Sequence, residues 1–490
     1  MKELTPPSEL AGLAANLIQF TPSGRSGKGA RTKLPNRTKE TSPSHSDVIS
    51  EDSVAQEFIT RYGQAVRYDH DAKVWFIWTG SHWRKDTTHL AFSYAVGLAR
   101  ELTLNGSEAA RKSAGRAAFA RGVEEIASRT QSVSVTRGVW DLDQDVLGTP
   151  NGVVDLKTGL LHPATPDSMI TKQALVGPSE KEECPLWLKF LGETAGNDPE
   201  MIEFLQRWAG YCLTGQTIEQ VLAFLYGLGG NGKSVFVNAL ARIMGDYARS
   251  AGMETFTASQ NERHPEELAR LAGARLVFAS ETDSGRKWAE ARVKRITGGE
   301  PIPARFMHQN SFEFTPQFKL TILGNHAPTI DNLDDAMRRR FLIVPFTIKP
   351  AEPDLRLEEK LMAEAPGILR WAINGAVKWY AGRLTRPAKV DQATQEYFAE
   401  QDIFASWVQE ECDRSPGNSA MFEKTAILYS SWKDYCLRAG EPSGSQKDFN
   451  AKLRRLGLAN EQIKALGTKG VRTIRLKIKS SYHEPRDDYA

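Results

Sequence analysis

The segment 227–234, with the sequence GLGGNGKS, has the residue types and spacing of a phosphate-binding loop. An apolar stretch over 221–226 precedes it and a helical pattern over 235–244 follows it, so we expect the loop to join a strand to a helix. The backbone N–H groups of such a loop attract the phosphates of a nucleotide, its lysine reaches the β- and γ-phosphates, and its serine hydroxyl binds Mg²⁺. The sequence therefore predicts a site for ATP and Mg²⁺ that contains Gly227, Gly229, Gly230, Asn231, Gly232, Lys233, Ser234 and Val235.

A carboxylate for hydrolysis is predicted at Glu281. Four apolar residues over 276–279 lead towards it, and α/β sheets bind their ligands at the carboxyl ends of the strands. On a strand that neighbours the phosphate-loop strand, Glu281 would orient Mg²⁺ and polarise the attacking water, so Ser234 and Glu281 are the predicted metal ligands. Asp283 is a weaker second candidate, and the alternative is a surface glutamate that follows a strand.

Two further polar positions follow apolar strands. Asn325 ends the stretch 319–324, which we expect beside the phosphate-loop strand, where the amide would sense the γ-phosphate or the attacking water. The alternative is an asparagine that caps the next turn. The arginine triplet 338–340 precedes another apolar stretch, and Arg339 or Arg340 is a candidate arginine finger that reaches the γ-phosphate of a neighbouring subunit. That role implies a ring, whereas the alternative is a solvated end of a strand.

Basic residues between the Glu281 and Asn325 strands are candidates for contacts with DNA. The segment 302–314 is typical of a hairpin, and Arg305 and His308 lie near its turn, with Lys294 on the preceding helical segment. Non-specific contacts with phosphates need positive charge rather than the geometry of base edges. The alternative is a solvated hairpin.

The order and spacing of the loop, Glu281, Asn325 and the arginine triplet resemble those of superfamily 3 helicases of the AAA+ class. The segments HPEELARLAGAR at 264–275, KRITGGEPIPAR at 294–305 and LGTPNGVVDLKTG at 147–159 bring the chain closer to phage/plasmid primases of the satellite-phage and poxvirus primase-helicase type. The resemblance implies a hexameric ring that translocates on single-stranded DNA and a host compartment that is the bacterial cytoplasm. The chain departs from the family's frequent Asp at position 300, which is Glu300 here.

The elements that must position these residues suggest an α/β fold. The resemblance identifies its core as an AAA+ P-loop NTPase of superfamily 3, preceded by an α-rich N-terminal collar region and followed by a winged-helix domain. Strands and helices alternate over 221–350, which favours a mainly parallel sheet, and two helices are expected over 88–130. The predicted divisions are a disordered basic tail at 1–50, an N-terminal α+β region at 51–145, a helical collar at 146–220, the ATPase core at 221–350, a helical extension at 351–400 and a winged-helix-like domain at 401–490.

The C-terminal part is separately basic, since residues 421–480 contain thirteen Lys and Arg against five Asp and Glu. Two helical patterns at 426–437 and 446–456, followed by a strand pair around 468–470, resemble a winged helix. The second helix, with Lys447, Lys452, Arg454 and Arg455, would face the major groove of DNA, and the strand pair, with Lys469, Arg472 and Arg475, would form the wing. The alternative is a winged helix that makes only protein contacts. The predicted DNA contacts in this part are Lys452, Arg455, Lys469 and Arg472.

Composition and charge exclude several other classes of protein. No run of about 18 apolar residues occurs, which excludes a membrane-spanning helix. The four cysteines lie far apart without a CxxC pair, so a zinc knuckle and a disulfide framework are both disfavoured. The net charge of +3 over the whole chain decides nothing about partners, because the distribution of the charge matters more.

The favoured prediction is an ATP-driven DNA helicase for the replication of a phage, prophage or plasmid, acting as a homo-hexamer with a separate primase. No acidic cluster on alternating strand positions indicates a primase site, so priming by this chain is not expected. The main rival is an initiator that binds an origin and uses ATP only to assemble the ring. A small-molecule kinase is a further rival, and the hairpin, the Asn325 strand and the basic C-terminal part argue against it.

Overall fold

The computed structural model describes residues 49–258, 265–280, 287–307, 311–325, 328–330, 334–350, 352–418, 420–463 and 467–477. The predicted site residues Glu281, Asp283 and His308 lie outside these ranges, as do residues 1–48 of the predicted tail. Within the ranges, no helix combines the length and apolarity needed to cross a bilayer.

The N-terminal unit packs helices on one small sheet. Its first helix starts with a capping box, in which Ser50 and Ser53 each accept a hydrogen bond from the backbone of the other. The stretch 88–130 forms three helices rather than the two expected, because Ser107 caps a short additional helix that ends before Gly115. The strands lie in the order β3-β2-β1-β4. The elements are α1 (Glu51–Tyr62), β1 (Val66–Asp69), β2 (Val74–Trp78), β3 (Trp83–Lys85), α2 (Leu90–Leu102), α3 (Glu108–Ala114), α4 (Ala117–Ser128) and β4 (Ser134–Val135).

The collar that follows combines a three-stranded antiparallel sheet with two helices. Its second helix (Pro199–Leu213) crosses a later helix (Ala365–Gly382) at close range, since a Cβ added at Gly210 would lie 1.9 Å from the backbone nitrogen of Ala376. The buried side chains of the collar belong to the same apolar core as one face of the large sheet. The elements are β5 (Val146–Thr149), β6 (Gly152–Asp155), β7 (Leu161–His162), α5 (Pro185–Ala195) and α6 (Pro199–Leu213).

The large sheet has the strand order β14-β8-β13-β10-β9 among the described residues, and every pairing in it is parallel. The prediction of an α/β core with a parallel sheet is therefore confirmed. The helices and strands of this α/β core, with the separate β11–β12 hairpin, are β8 (Leu222–Tyr226), α7 (Lys233–Met244), β9 (Ala248–Ser250), α8 (Pro265–Ala269), β10 (Leu276–Ser280), α9 (Glu290–Gly298), β11 (Ile302–Ala304), β12 (Phe312–Phe314), β13 (Lys319–Gly324), α10 (Asp335–Arg338) and β14 (Phe341–Pro345).

This strand order corrects one expectation about the site. The strand β10, which runs towards Glu281, is not the direct neighbour of the phosphate-loop strand β8, because β13 lies between them. The other expectation holds, since β13 places Asn325 directly beside the end of β8. The strands β11 and β12 pair as an antiparallel hairpin, as the pattern over 302–314 predicts.

The C-terminal part begins with helices that cover the sheet and ends in a small α+β unit. The unit has its own aromatic core, in which Phe404, Trp407, Trp432 and Phe449 pack edge to face or tilted. Its three-stranded sheet has the order β16-β18-β17, in which β16 precedes the last two helices and the other two strands follow them. The elements are α11 (Leu357–Ala363), α12 (Ala365–Gly382), α13 (Ala388–Gln401), α14 (Ile403–Glu411), β15 (Cys412–Arg414), β16 (Phe422–Lys424), α15 (Thr425–Ala439), α16 (Gln446–Arg455), β17 (Asn460–Ile463), β18 (Thr468–Arg472) and β19 (Ile474–Leu476).

Candidate functional site

The glycine-rich loop joins the end of β8 to the start of α7. Gly227 has φ +153°, and a Cβ at this position would lie 1.9 Å from the carbonyl oxygen of Phe346, so only glycine fits. Gly232 is the N-cap of α7 with φ +86°, and a Cβ there would lie 2.6 Å from Cγ2 of Thr194 in the collar. The loop is thus shaped by two close approaches, one to the segment after β14 and one to the collar helix α5.

Lys233, the first residue of α7, turns its side chain back into the loop. Its Nζ donates to the carbonyl oxygen of Gly227 at 2.5 Å and to Oδ1 of Asn231 at 3.0 Å. The side chain is 7% exposed, and this burial lowers the pKa of Lys233 below its usual value. Asn231 is also buried, and its Nδ2 donates to the carbonyl oxygen of Phe346. An ammonium group is therefore held at the carboxyl end of the sheet by neutral oxygens.

Asn325 completes this arrangement from the neighbouring strand. It follows β13, its side chain is exposed, and its Oδ1 lies 3.3 Å from Nζ of Lys233. Ser234 is exposed in the first turn of α7, and Val235 is half-buried against the core shared with the collar. Gly229 and Gly230 are exposed on the outer side of the loop. The structure thus brings Lys233, Asn231 and Asn325 together, with Ser234 beside them in sequence.

The arginine triplet divides into residues with different surroundings. Arg340 is 7% exposed, and its guanidinium donates to Oγ1 of Thr297 at 3.0 Å and to the carbonyl oxygen of Ala336 at 2.8 Å. Arg338 lies 3.5 Å from Oδ2 of Asp402. Arg339 is exposed and its side chain makes no polar contact with any described residue. Of the two predicted fingers, Arg339 therefore has a guanidinium available to another molecule.

The predicted DNA contacts of the hairpin region also differ from one another. Lys294 is ion-paired, since its Nζ lies 2.5 Å from Oδ2 of Asp334, the residue that caps α10. Arg305 is exposed directly after β11. The hairpin thus offers an exposed basic side chain at Arg305, whereas Lys294 is engaged within the chain.

Three of the predicted C-terminal contacts are Lys452 and Arg455 on α16 and Arg472 on β18. Nζ of Lys452 lies 4.9 Å above the ring of Trp432, and Lys452 and Arg455 line a cavity that also contains Asp334 and Asp335 of the sheet unit. Arg472 is ion-paired with Glu461 at 2.6 Å. These three predicted contacts therefore have partners or neighbours within the chain.

The opposite face of α16 carries Lys447 and Arg454, two of the basic residues expected on the helix that faces DNA, and lines a groove. Its side chains from α16 are spaced by about one helical turn. Lys469, predicted on the wing, lines the same groove, whereas its amide side chains were not predicted. The cationic and amide side chains of the groove are Gln446, Lys447, Asn450, Arg454, Asn460 and Lys469.

Two buried cations at the amino end of the sheet were also missed as structural residues. Arg275, just before β10, donates to the carbonyl oxygens of Val146 at 2.6 Å and Leu213 at 2.7 Å. Lys319, the first residue of β13, is 2% exposed and donates to the carbonyl oxygen of Thr214 and, at 3.3 Å, to that of Gln216. Burial lowers the pKa of Lys319 to about 7. Both cations bind the collar to the sheet.

Comparison with protein families gives two matches along the chain. Residues 55–196 match the model described as D5 N terminal like, and residues 225–340 match a family of unknown function, DUF5906. The first match covers the N-terminal unit and much of the collar, and the second covers most of the large sheet. The resemblance to primase-helicases of the poxvirus type is confirmed, and residues 55–196 are a domain of the D5 N terminal like family.

Several curated viral proteins are similar to this chain. "Putative helicase L207/L206" of Acanthamoeba polyphaga mimivirus is 28% identical over 295 residues, which cover 55% of this chain and 31% of that protein. "Putative helicase 022R" of Frog virus 3 (isolate Goorha) is 27% identical over 270 residues, 49% of this chain and 27% of that protein. "Primase D5" of Fowlpox virus (strain NVSL) is 26% identical over 150 residues, 29% of this chain and 19% of that protein. The matched part is therefore less than a third of each relative's length.

Among solved structures, the C-terminal region of NrS-1 aligns with 88% of this chain and with 100% of its own length. The two are 10% identical and superpose with a TM-score of 0.49.

Proposed function

We propose that this chain is an ATP-dependent DNA helicase of a phage or plasmid replication system, which translocates on single-stranded DNA as a hexameric ring. The observation that carries the proposal is the position of Lys233, whose ammonium lies inside a glycine-rich loop and 3.3 Å from the amide oxygen of Asn325. The names of the viral relatives, helicases and a primase, support the same class of enzyme.

The residues of the loop fit the triphosphate of ATP. The Lys233 ammonium now contacts neutral oxygens in a partly desolvated place, and phosphate oxygens would provide the negative charge that such a group favours. Ser234 stands at the start of α7, where its hydroxyl would hold Mg²⁺, with Glu281 as the second predicted ligand. Mg²⁺ would neutralise charge on the phosphates during hydrolysis.

Asn325 and Arg339 are the proposed residues for hydrolysis around this loop. Asn325 stands on the strand next to the loop strand, so its amide would contact the γ-phosphate or the attacking water. Arg339 is exposed and its guanidinium has no polar contact with the described residues, and a subunit whose Arg339 reaches the next subunit's nucleotide would tie hydrolysis to ring assembly. Arg340 is better explained as a residue that fixes α10, because its donors are already bound to Thr297 and Ala336.

The architecture supports the assignment of an AAA+ core of superfamily 3 and a winged helix. The loop strand β8 lies between β14 and β13 in a parallel sheet, and the hairpin of β11 and β12 lies in the chain between β10 and β13. The pair α15 and α16, followed by the β17–β18 ribbon, has the element order of a winged helix. Single-stranded DNA would contact the predicted hairpin residues Arg305 and His308, and duplex DNA would contact the C-terminal unit.

Priming is proposed to come from a separate polypeptide. Within the described residues, no group of three or more His, Cys, Asp or Glu side chains is placed to hold a metal ion, and a primase needs catalytic metals. The chain matches less than a third of the length of the relatives named above, so their complete activities include parts that this alignment does not reach.

ATP hydrolysis with and without single-stranded DNA tests the proposal. Wild-type protein is expected to hydrolyse ATP, faster when DNA is bound, and Lys233→Ala is expected to lose both rates. Lys360→Ala, which removes a lysine whose ammonium is paired with Asp354 on the exposed side of α11, is the matched control and should keep the basal rate. Hydrolysis by Lys233→Ala at the wild-type rate would contradict the assignment of the loop.

An origin-binding initiator with little unwinding activity is the second candidate, and the groove on α16 favours it. Lys447 and Arg454 supply positive charge there, and Asn450 offers an amide that pairs well with adenine. Sequence-specific duplex binding that is lost in Asn450→Ala, together with ATP hydrolysis that displaces no strand from a fork, would establish this candidate instead.

A further inference from the structure

A cavity of about 640 Å³ lies where three parts of the molecule meet. The N-terminal unit contributes Arg137, the edge strand β9 contributes Arg249, and the turn after α8 contributes Arg270. The hairpin contributes Phe306 and Phe312. None of these five residues belongs to the nucleotide loop or to the predicted pore contacts, so the cavity has no role in the function proposed above.

The two phenylalanines form a stacked pair that remains partly exposed. Their ring centroids lie 5.7 Å apart with an angle of 23° between the planes. The guanidinium of Arg137 lies 4.8 Å from the centroid of Phe312, so aromatic and guanidinium faces are placed side by side. Both rings are half-buried, which leaves ring surface accessible from the cavity. Such surfaces are the ones on which unpaired nucleobases stack.

The charge around the rings is positive. Arg137, Arg249 and Arg270 are exposed, and no Asp or Glu is among the described residues that line the cavity. Arg270 is ion-paired with Glu266 at 2.8 Å, but its side chain is 71% exposed and can turn to a phosphate. Arg249 is exposed, and among the described residues its guanidinium donates to the carbonyl oxygen of its neighbour Ala248. Exposed arginines beside stacking rings are the combination that binds a single-stranded backbone and its bases.

Arg137, which joins the N-terminal unit to the hairpin, is fixed in position. The backbone nitrogen of Arg137 donates to Oδ2 of Asp71 at 2.9 Å, which anchors its short helical turn to the loop between β1 and β2. Its guanidinium then reaches across to the hairpin ring of Phe312. The N-terminal unit and the hairpin therefore build one surface rather than two separate ones.

We propose that this cavity is a binding site for single-stranded DNA, in which bases stack on Phe306 and Phe312 while Arg137, Arg249 and Arg270 contact the backbone phosphates. The inference rests on the proposed function and adds a role for the N-terminal unit, which would hold the strand beside the hairpin. Duplex DNA does not fit this site, because its bases are already stacked on each other and cannot reach the rings.

Binding of a fluorescently labelled oligothymidylate to the full chain, without nucleotide, tests the stacking part. Phe306→Ala is expected to weaken binding roughly 5-fold to 100-fold, which corresponds to the ~1–3 kcal/mol typical of a stacked base. The matched control is Met307→Ala, because Met307 is the next residue, is 67% exposed and does not line the cavity. Its affinity should equal that of the wild type.

An abasic oligonucleotide separates stacking from charge. The wild type should bind it more weakly than oligothymidylate, and the difference between the two strands should be smaller for Phe306→Ala, which keeps only the ring of Phe312, and absent for the double variant Phe306→Ala/Phe312→Ala. Equal affinities of Phe306→Ala, Met307→Ala and wild type for oligothymidylate would overturn the stacking site.

The salt dependence of affinity tests the phosphate contacts. Arg270→Gln should reduce the slope of log affinity against log salt by about 0.7, the value for one phosphate of a single strand. Arg242→Gln is the control, since Arg242 is exposed on α7 and lies outside the cavity. An unchanged slope in Arg270→Gln overturns its contact. If the wild type itself binds no oligonucleotide, the proposed function fails. If the wild type binds and both Phe306→Ala and Arg270→Gln bind in the same way as the wild type, only the cavity proposal is contradicted.

Discussion

The opposite ends of the large sheet both contain buried lysines, and the two lysines have different surroundings. At the carboxyl end, Lys233 contacts oxygens of its own loop and the amide of Asn325. At the amino end, Lys319 contacts three carbonyl oxygens, two from the collar and one from Gln317 two residues before it. The oxygens around Lys233 lie beside the exposed residues Ser234 and Asn325, whereas the oxygens around Lys319 lie within the core.

The difference shows how buried charge distinguishes a binding site from a joint between domains. The ammonium of Lys319 donates to buried backbone carbonyl oxygens, so its role is to hold the collar against the sheet. Arg275 repeats this role on the neighbouring strand. The ammonium of Lys233 lies at an open edge where a ligand can replace its present partners. Four predictions test this contrast between the two ends of the sheet.

Lys233→Ala should have the largest effect on activity. Loss of the ammonium removes the charge that contacts the β- and γ-phosphates, and we expect ATP hydrolysis to fall by at least about a hundredfold. Stability should change little, because the neutral oxygens around Lys233 face an open edge where water can replace it. Nucleotide hydrolysis and thermal unfolding of the same preparation measure both. A large loss of stability would make the two ends of the sheet alike and contradict the contrast.

Arg339→Ala and Arg340→Ala should separate a role in catalysis from a role in folding. A finger is worth about 10³-fold or more in rate, so Arg339→Ala is expected to lose ATP hydrolysis at unchanged stability. Arg340→Ala should lower the free energy of unfolding by about 1–3 kcal/mol, because it leaves Oγ1 of Thr297 and the carbonyl of Ala336 without their donor.

Mixing Arg339→Ala with Lys233→Ala subunits provides the control for this pair. If the finger acts between subunits, a mixture regains part of the activity, since some interfaces combine a wild-type loop with a wild-type arginine. Absence of any recovery in assembled mixtures would count against Arg339 as the finger.

Lys319→Met should mainly change stability. The substitution keeps the length of the side chain and leaves the carbonyl oxygens of Thr214, Gln216 and Gln317 without a donor, so we expect unfolding to become easier by about 2–4 kcal/mol. Lys294→Met is the matched control, because it breaks a half-exposed ion pair with Asp334 and should cost less than about 1 kcal/mol. Denaturant unfolding at constant pH measures both, and equal values would refute the special role of Lys319.

The pH dependence of stability gives the smallest effect when it is counted per pH unit. Burial lowers the pKa of Lys319 to about 7 from 10.5, so the unfolded chain binds more protons than the folded one between these values. Stability attributable to Lys319 therefore rises as pH rises from about 7 to about 10, by at most ~1.4 kcal/mol per pH unit. The difference between wild type and Lys319→Met, measured by denaturant unfolding over this range, should grow with pH. A difference that falls with pH would show that the lysine is more basic when buried.

The carboxyl end of the sheet could be predicted from the sequence because its signals are local. The motif over 227–234 fixes the loop, and an apolar strand that ends in a polar residue locates Asn325. The order of the strands could not be predicted in the same way. The insertion of β13 between β8 and β10 depends on long-range pairing, and no local pattern specifies which strand takes the central place.

The amino end of the sheet and the basic faces were not predictable for a related reason. Lys319 reads as an ordinary polar residue before a strand, and only the folded collar supplies the carbonyl oxygens that bury it. On α16, the pattern showed many cations but not which face the core would take. Packing of Phe449 and Leu453 inward turns Lys452 towards Trp432 and leaves Lys447 and Arg454 on the groove.

Strand displacement from a forked DNA by the purified protein with ATP and Mg²⁺ tests whether this chain is a helicase. We expect displacement by the wild type and by Lys360→Ala, and none by Lys233→Ala at equal stability and equal binding of DNA. ATP hydrolysis stimulated by DNA without any displacement would contradict a helicase and favour the initiator.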